Sequence, residues 1–290
     1  MQRLLVIGYG DIARRATPAL VECFEVTALV RAPGRCGANV NVVMGDLDDP
    51  ARHAAGLPAC DLLLYLAPPP EAGDGDTRLR NCLAAFAKAR MVPQRFVYIS
   101  TSGVYGDCGG VEVDETRPVN PQTQRAQRRV DAEQALQDRA ATTGAAVIIL
   151  RVPGIYAADR LPLDRLRQGT PVLRAEDDVY TNHIHADDLA ALCVLALAPG
   201  APAGVYNASD DSRMKMGDYF DLVADRHGLP RPPRVSREAA AHAISPGLLS
   251  FMSESRQLVN ARMRTELGMV LRYPTVYEGV PDRRATGARG

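Results

Sequence analysis

Tryptophan is absent from the sequence, and aromatic residues make up only 5% of its 290 positions. The formal net charge is zero, with 34 basic and 34 acidic side chains. Proteins that bind nucleic acid usually carry a basic surface and aromatic rings on which bases stack. The composition therefore argues against a nucleic-acid partner and leaves a small molecule as the expected ligand.

Long apolar segments and an export signal are also missing. The first residues, MQRLLVIGYG, hold a short apolar run that glycines interrupt, with no cleavage signal after it. The later runs LLLYLA and LAALCVLALA are about half as long as a bilayer-spanning helix. These absences predict a cytoplasmic protein without a membrane partner.

Paired cysteine motifs are lacking as well. The six cysteines form no CxxC motif and do not cluster with the five histidines, which favours free thiols over a disulfide framework or a metal site. His183 and His185 alternate on an extended segment, but no third ligand is spaced to join them. A structural role for both is the favoured interpretation, and no metal is expected.

What the sequence does contain is a regular alternation of strands and helices in its first half. Apolar runs predict strands near 2–8, 24–30, 40–44, 61–66, 95–100 and 145–151, and periodic segments predict helices near 11–22, 76–90 and 123–142. Strands that are apolar on both faces and joined by helices indicate a doubly wound parallel sheet, an α/β fold of Rossmann type. Pro18 is expected to kink or break the first helix.

The second half is richer in proline and less regular, with helices predicted near 187–198, 216–227 and 258–267. No linker of glycine, serine or like charges separates the halves. We therefore expect a dinucleotide-binding domain over residues 1–156 and a smaller irregular substrate lobe over 157–280, parts of which return to the first domain. Residues 281–290 are expected to form a frayed tail.

A glycine-rich loop follows the first predicted strand: Gly8-Tyr9-Gly10-Asp11-Ile12-Ala13. In a G-x-G-x-x-A pattern the first glycine permits a tight turn, the second lets the backbone approach a pyrophosphate, and the alanine allows close helix packing. Glycines also punctuate ordinary turns, but this position between a strand and a helix favours dinucleotide binding.

The end of the second predicted strand indicates which dinucleotide is preferred. An NAD-preferring fold places an acid there to bind the ribose hydroxyls, whereas this chain has Arg31, with Arg35 nearby. Arginines suit a 2′-phosphate, so NADP is expected in preference to NAD. The alternative is that both are solvated surface arginines.

The sequence resembles the extended or atypical short-chain dehydrogenase/reductases, the NAD(P)-dependent epimerase/dehydratase group. The resemblance covers essentially the whole chain, in order, through the segments Gly8-x-Gly10, Gly45-Asp46-Leu47, Leu66-Ala67-Pro68, 98–106 (YISTSGVYG), 150–156 (LRVPGIY), 182–190 (NHIHADDLA), 204–207 (GVYN), 260–262 (NAR), 266–268 (ELG) and 272–274 (RYP). It implies an oxidoreductase or epimerase with a nicotinamide cofactor.

The resemblance also implies roles for individual residues. Asp46 and Leu47 would flank the adenine, Ala67 and Pro68 would lie against ribose and phosphates, and Pro153 to Tyr156, including Ile155, would pass near the nicotinamide. Thr101 would be the catalytic hydroxyl that holds a substrate oxygen. A capped, hydrogen-bonded loop after a strand is the alternative for Thr101 and Ser102. Tyr105 is interpreted as a packed tyrosine of its turn.

One departure from the family lies in the segment NPQTQRAQRRVDAEQAL, residues 120–136. The family's Tyr-x-x-x-Lys becomes Arg125-x-x-x-Arg129 here, and arginine cannot exchange a proton near neutrality. Like charges four residues apart also repel on a helix. The ordinary explanation is a solvated face, with Arg128 paired to Asp131 and Arg129 to Glu133; the other is that an anion covers this face.

Two functions therefore remain open. The first is an NADP-dependent oxidoreductase or epimerase with an altered centre, in which Thr101 acts with Arg125 and Arg129 and protons come from substrate or water. The second is a dinucleotide-binding protein without turnover, such as a redox sensor or partner-binding module. An anionic substrate is an option if Arg160, Arg174 or Arg256 faces it, and helices of the first lobe offer a homodimer surface in related folds.

Overall fold

A computed structural model describes residues 1–32, 34, 36–49 and 56–283. In the first half the elements are β1 Gln2–Ile7, α1 Asp11–Cys23, β2 Phe24–Val30, β3 Val40–Met44, β4 Leu62–Tyr65, α2 Thr77–Lys88, β5 Arg95–Thr101, a 3-10 turn Ser102–Tyr105, β6 Glu112–Val113, α3 Gln124–Thr143 and β7 Ala146–Val152. In the second half they are β8 Gly154–Tyr156, α4 Leu163–Arg167, β9 Val172–Leu173, β10 Tyr180–Thr181, β11 His183–His185, α5 Ala186–Leu197, β12 Gly204–Asn207, β13 Met214–Lys215, α6 Met216–His227, β14 Arg234–Val235, α7 Arg237–Ala243, α8 Pro246–Phe251, β15 Gln257–Leu258, α9 Ala261–Thr265 and α10 Val276–Gly279.

Seven parallel strands form the central sheet, in the order β12-β7-β5-β4-β1-β2-β3. The chain builds the sheet outward from β1 through β2 to β3, and then from β4 on the other side of β1. The winding direction therefore reverses between β1 and β4. Open α/β sheets bind ligands at such a reversal. All four residues of β4 are buried, as expected of a strand covered on both faces. The Rossmann-type α/β fold predicted from the sequence is confirmed.

Two apolar cores cover the two faces of this sheet. One lies beneath α1 and α5 and includes Val6, Leu20 and Leu189. The other lies beneath α2 and α3 and includes Phe86 and Leu136. Helix α5 and strand β12 come from the second half of the chain, so that half contributes both a helix and an edge strand to the first lobe.

Strands β8–β11, β9–β14, β10–β13 and β6–β15 pair two by two beyond the carboxyl edge of the sheet. A third core, from Tyr156, Leu173 and Phe220 to Val276, holds this smaller lobe together. Its helices α4, α7, α8 and α10 were not predicted, because they are four to seven residues long and carry too few turns to show a period.

Two local expectations differ from the structure, and a third is mostly untested. The helix expected near 258–267 is restricted to α9, since residues 257–258 pair with β6 as a strand. Helix α1 runs unbroken through Pro18. Most of the tail expected at 281–290 lies outside the described residues. All six cysteines are free, and within the described ranges no helix is long and apolar enough to cross a membrane.

Candidate cofactor and substrate site

The loop between β1 and α1 is shaped for close backbone approach. Gly8 has a φ of +88°, and a Cβ placed on it would lie 2.4 Å from the backbone nitrogen of Ala67 after β4. Only glycine satisfies both conditions. Gly10 is the N-cap of α1, and no side chain in the described part of the chain caps that end. The first N–H groups of the helix are therefore left for an anion such as a pyrophosphate.

Asp11 and Ile12 were predicted, with this loop, to contact the cofactor, but their side chains have other neighbours. The Asp11 carboxylate accepts hydrogen bonds from Arg15 Nε and Arg160 Nη1, each at 3.0 Å. These two arginines offset a negative charge that would otherwise repel phosphate at the helix end. Ile12 is buried in the core beneath the sheet. Neither residue lines the cavity beside the loop.

A cavity of about 330 Å³, here called the glycine-loop cavity, brings most of the other predicted cofactor residues together. It is lined by Ile7, Gly8, Tyr9, Gly10, Leu29, Val30, Arg31, Gly45, Asp46, Leu47, Leu66, Ala67, Pro68 and Arg78. Such a set of apolar walls with a few polar groups is typical of a small-ligand site. The residues come from the ends of β1, β2, β3 and β4, and only the fold brings them to one edge.

Two arginines line the glycine-loop cavity. Arg31 is exposed, with Nη1 4.0 Å from an Asp48 carboxylate oxygen. Arg78 donates to the same carboxylate at 2.6 Å, and this bond holds the pKa of Asp48 below its usual range. Because the Asp48 carboxylate is hydrogen-bonded to Arg78, the Arg31 guanidinium remains able to bind a phosphate. Arg35 falls outside the described residues. Arg78 was missed because it lies on α2, far from the glycine motif in sequence.

The central cavity, of about 460 Å³, continues from Pro68 along the carboxyl edge of β5 and β7. Its lining combines the remaining predicted site residues with neighbours from α3: Pro68, Pro69, Pro70, Glu71, Ile99, Ser100, Thr101, Arg125, Arg128, Arg129, Val152, Pro153 and Ile155. Thr101 ends β5, and its hydroxyl oxygen accepts from Gly103 N at 3.2 Å. The capped-loop geometry is thus present, and the hydroxyl proton of Thr101 is left to donate to a ligand oxygen.

The predicted surface pairings on α3 are both wrong. Asp131 pairs with Arg80 on α2, while Arg128 is buried and donates to Gly73 O at 2.8 Å. Glu133 pairs with Arg151 on β7 at 2.7 Å. Tertiary neighbours on other elements therefore outcompete the partners available along the helix.

The two arginines that replace the family's tyrosine and lysine are held in different ways. Arg129 donates from Nη1 to Tyr98 Oη at 2.9 Å and to Ile99 O at 2.8 Å. Arg125 has its guanidinium carbon 4.1 Å above the Phe251 ring, and burial lowers its pKa. No carboxylate among the described residues pairs with Arg125. The Arg125 guanidinium therefore lines the cavity without a direct ion pair to any described residue.

A third space, the lobe cavity, lies between the sheet edge and the smaller lobe and has a volume of about 370 Å³. It shares Thr101, Arg125, Pro153 and Ile155 with the central cavity, so the two adjoin. Its walls also include Arg160, Arg165, Tyr180, His183, Tyr219, Phe220, Leu248, Phe251, Glu254 and Arg256. Of the arginines suspected from the sequence of meeting a substrate, Arg160 and Arg256 are here, whereas Arg174 pairs with Asp177 at 2.7 Å elsewhere.

Of the two histidines, His183 lines the lobe cavity, whereas His185 lies at the start of α5. His185 Nδ1 accepts from Asp187 N at 3.2 Å and so caps α5. His183 packs 4.3 Å from the Tyr219 ring, and burial lowers its pKa to about 3. Tyr105 is likewise buried and donates to Asn207. Across the residues the structure describes, no group of three or more histidine, cysteine, aspartate or glutamate side chains is arranged to hold a metal.

A parallel sheet with a glycine loop at its winding reversal and an uncapped helix end beside it defines a nicotinamide-dinucleotide-binding protein of Rossmann type. The sequence agrees with this class. The chain belongs to the NAD(P)H-binding family, whose model matches residues 8–199. Comparison with curated protein sequences gives no significant match.

Solved structures extend the likeness over nearly the full chain. A conserved protein of unknown function from Silicibacter pomeroyi is 29% identical, with 96% of each chain covered and a TM-score of 0.80. A putative NAD-dependent epimerase/dehydratase from Methylobacillus flagellatus is 24% identical over 96% of each chain, with a TM-score of 0.69. The human epimerase family protein SDR39U1, solved with NADPH, is 19% identical, covers 96% of this chain and 97% of its own, and has a TM-score of 0.76. The NAD(P)-binding family expected from the sequence is confirmed by the family model, and the epimerase/dehydratase structures share the fold of this chain.

Proposed function

We propose that this protein is an NADP(H)-dependent oxidoreductase or epimerase/dehydratase-like enzyme with an altered active centre. The observation that carries the proposal is the continuity of three cavities along one sheet edge. The glycine-loop cavity suits the adenosine and pyrophosphate, the central cavity suits the nicotinamide end, and the lobe cavity adjoins it at Thr101 and Arg125. A substrate in the lobe cavity would have its reacting carbon beside these two residues.

Cofactor contacts follow from this arrangement. The free N–H groups at the start of α1 and the close approach at Gly8 would hold the pyrophosphate, and Arg31 would hold a 2′-phosphate. Arg129, fixed by Tyr98 and Ile99, would hold the nicotinamide ribose in place of the family's lysine. A bound nicotinamide supplies or accepts the hydride.

The chain's own groups would act on the substrate oxygen. Thr101 donates a hydrogen bond to it, and the unpaired charge of Arg125 stabilises negative charge that develops there. Because an arginine does not release its proton near neutrality, protonation would use water or the substrate itself. A missing general acid/base typically lowers a rate by about 10²–10⁴-fold, so slow turnover is expected on ordinary carbonyl substrates.

The test is NADPH oxidation by the purified protein in the presence of neutral and anionic carbonyl compounds, followed at the nicotinamide absorbance band. Turnover that falls in Thr101→Ala and is retained in Thr101→Ser supports the proposal. If NADPH binds, its absorbance falls with none of the compounds, and the protein loaded with NADP forms no epimerised or dehydrated product from them, the second function, a dinucleotide-dependent sensor or partner-binding module, takes precedence. Thr265→Ala, which removes a hydroxyl from the exposed face of α9, is the matched control.

A further inference from the structure

The walls of the lobe cavity carry more positive charge than their own neighbours neutralise. Four arginines line it, Arg125, Arg160, Arg165 and Arg256, with Glu254 as the single carboxylate among the described lining residues. Glu254 pairs with Arg256 at 2.8 Å, and Arg160 pairs with Asp11 at 3.0 Å. Among the described residues, Arg125 and Arg165 therefore form no direct ion pair, and the charge of Glu254 reaches Arg125 only at longer range.

Arg165 is the more unusual of the two. Its guanidinium carbon lies 4.4 Å from the centre of the Phe220 ring. Its Nε and Nη2 atoms have no solvent contact and no hydrogen-bond acceptor among the described residues, although all guanidinium N–H groups are strong donors. Burial lowers the pKa of Arg165. An unpaired charge in such a place is unfavourable unless a ligand compensates for it.

The position of Arg165 within the cavity indicates which part of a ligand it would meet. Arg125 borders both the central and the lobe cavity, whereas Arg165 borders the lobe cavity alone. Arg165 is on α4 and stacks on Phe220 of α6, both in the smaller lobe. It therefore lies towards the side of the cavity formed by that lobe, and Thr101 and Pro153 form the cofactor side.

We propose that Arg165, stacked on Phe220, is an anion subsite that selects substrates carrying a carboxylate or phosphate group away from the reacting carbon. This inference rests on the proposed function, since it places that anionic group relative to the reaction at Thr101. Arg125 provides the second positive charge, at the cofactor side of the same cavity. The substrate class is thus a small anionic molecule with its charged group directed into the smaller lobe.

Binding measurements test the subsite without relying on turnover. Protein saturated with NADPH, so that the cofactor site is blocked, is titrated calorimetrically with glycerol 3-phosphate, succinate and glycerol. Both anions, or one of them, should bind the wild type and glycerol should not; the two anions distinguish a phosphate from a carboxylate subsite. Arg165→Met should weaken anion binding at least about tenfold, the loss expected for a charge-assisted hydrogen bond. Arg174→Met, outside the cavity, should leave it unchanged.

Thermal stability is a second measurement, and it separates an anion-binding arginine from one that only stabilises the fold. Without anion, Arg165→Met should melt at or above the wild-type temperature, because it removes a half-buried charge that has no ion-pair partner among the described residues. If Arg165→Met does not fold, Arg165→Gln, which keeps a polar side chain of intermediate length without the charge, replaces it in the same titrations and should show the same loss of anion binding. Anion binding that is equal in wild type and Arg165→Met, or absent from the wild type, overturns the subsite. NADPH turnover on neutral substrates alone would overturn it while leaving the proposed function intact.

Discussion

At the scale of single residues, Asp210 shows how burial controls charge in the smaller lobe. Its side chain is 4% exposed; Oδ1 accepts from Ser212 N at 2.9 Å, and Oδ2 has no partner in the described part of the chain. Burial is the main cause that raises the pKa of Asp210 to about 7, and hydrogen bonding by Ser212 opposes it only in part. The protonated form is therefore favoured in the folded protein.

This shift has a definite consequence for stability against pH. The carboxyl of Asp210 contributes stability below its unfolded pKa of about 3.8, and this contribution is lost as pH rises through about 7. Asp210→Asn should match the wild type near pH 4 and be more stable above pH 8, by on the order of a few kcal/mol. Urea denaturation at several pH values measures the difference. His183, whose pKa is lowered, has the opposite pH dependence, but it is present in both proteins and cancels. If the free energies of unfolding of the two proteins differ by the same amount at every pH, the prediction is contradicted.

At the scale of elements, α3 is tied to the sheet by a buried ion pair. Glu133 and Arg151 are 4% and 5% exposed and bond at 2.7 Å, while Ser100 of β5 donates to Glu133 at 2.5 Å. The pair fixes α3 against β5 and β7, the two strands whose carboxyl ends border the central cavity. Arg129 and Arg125, one and two turns before Glu133, are positioned by the same contact.

Breaking this pair should therefore weaken the whole fold. Arg151→Met leaves the Glu133 carboxylate buried without its counterion, and we expect a loss of about 3–5 kcal/mol in the free energy of unfolding. Adding Glu133→Leu should recover part of that loss, since an apolar pair carries no uncompensated charge. The exposed pair on the other face of α3 provides the control: Arg80→Ala, which frees Asp131, should cost less than about 1 kcal/mol. Equal effects at the two pairs would show that burial does not determine their energies.

At the scale of the whole molecule, the cofactor site joins elements that are distant in sequence, so ligand binding and global stability should be linked. The glycine-loop cavity takes residues from the ends of four strands and from α2. A ligand that contacts all of them stabilises the folded state by mass action. The expected homodimer is a separate prediction, and light scattering would measure it.

Thermal unfolding with each cofactor tests this linkage and the NADP preference together. At about 100 times its dissociation constant, a ligand adds about 2.7 kcal/mol, which corresponds to several degrees in Tm for a chain of this size. NADPH should raise Tm more than NADH at equal concentration, because Arg31 meets the 2′-phosphate. Arg31→Asp should remove or reverse the difference, whereas Arg117→Asp, the same charge change away from the cavity, should preserve it. Equal shifts by both cofactors in the wild type would refute the preference.

The fold class and the cofactor motif follow from the sequence, because both depend on local properties. Apolar runs marked six of the seven strands of the central sheet, all but β12, and Gly8 forms a turn that its own conformational freedom allows. Only the tertiary structure decided how the charges are used. Arg128, Arg129, Asp131 and Glu133 find partners on other elements rather than along their helix. Arg165 has no sequence signal at all: its significance comes from burial against Phe220 without a counterion, and burial depends on contacts that a one-dimensional pattern does not contain.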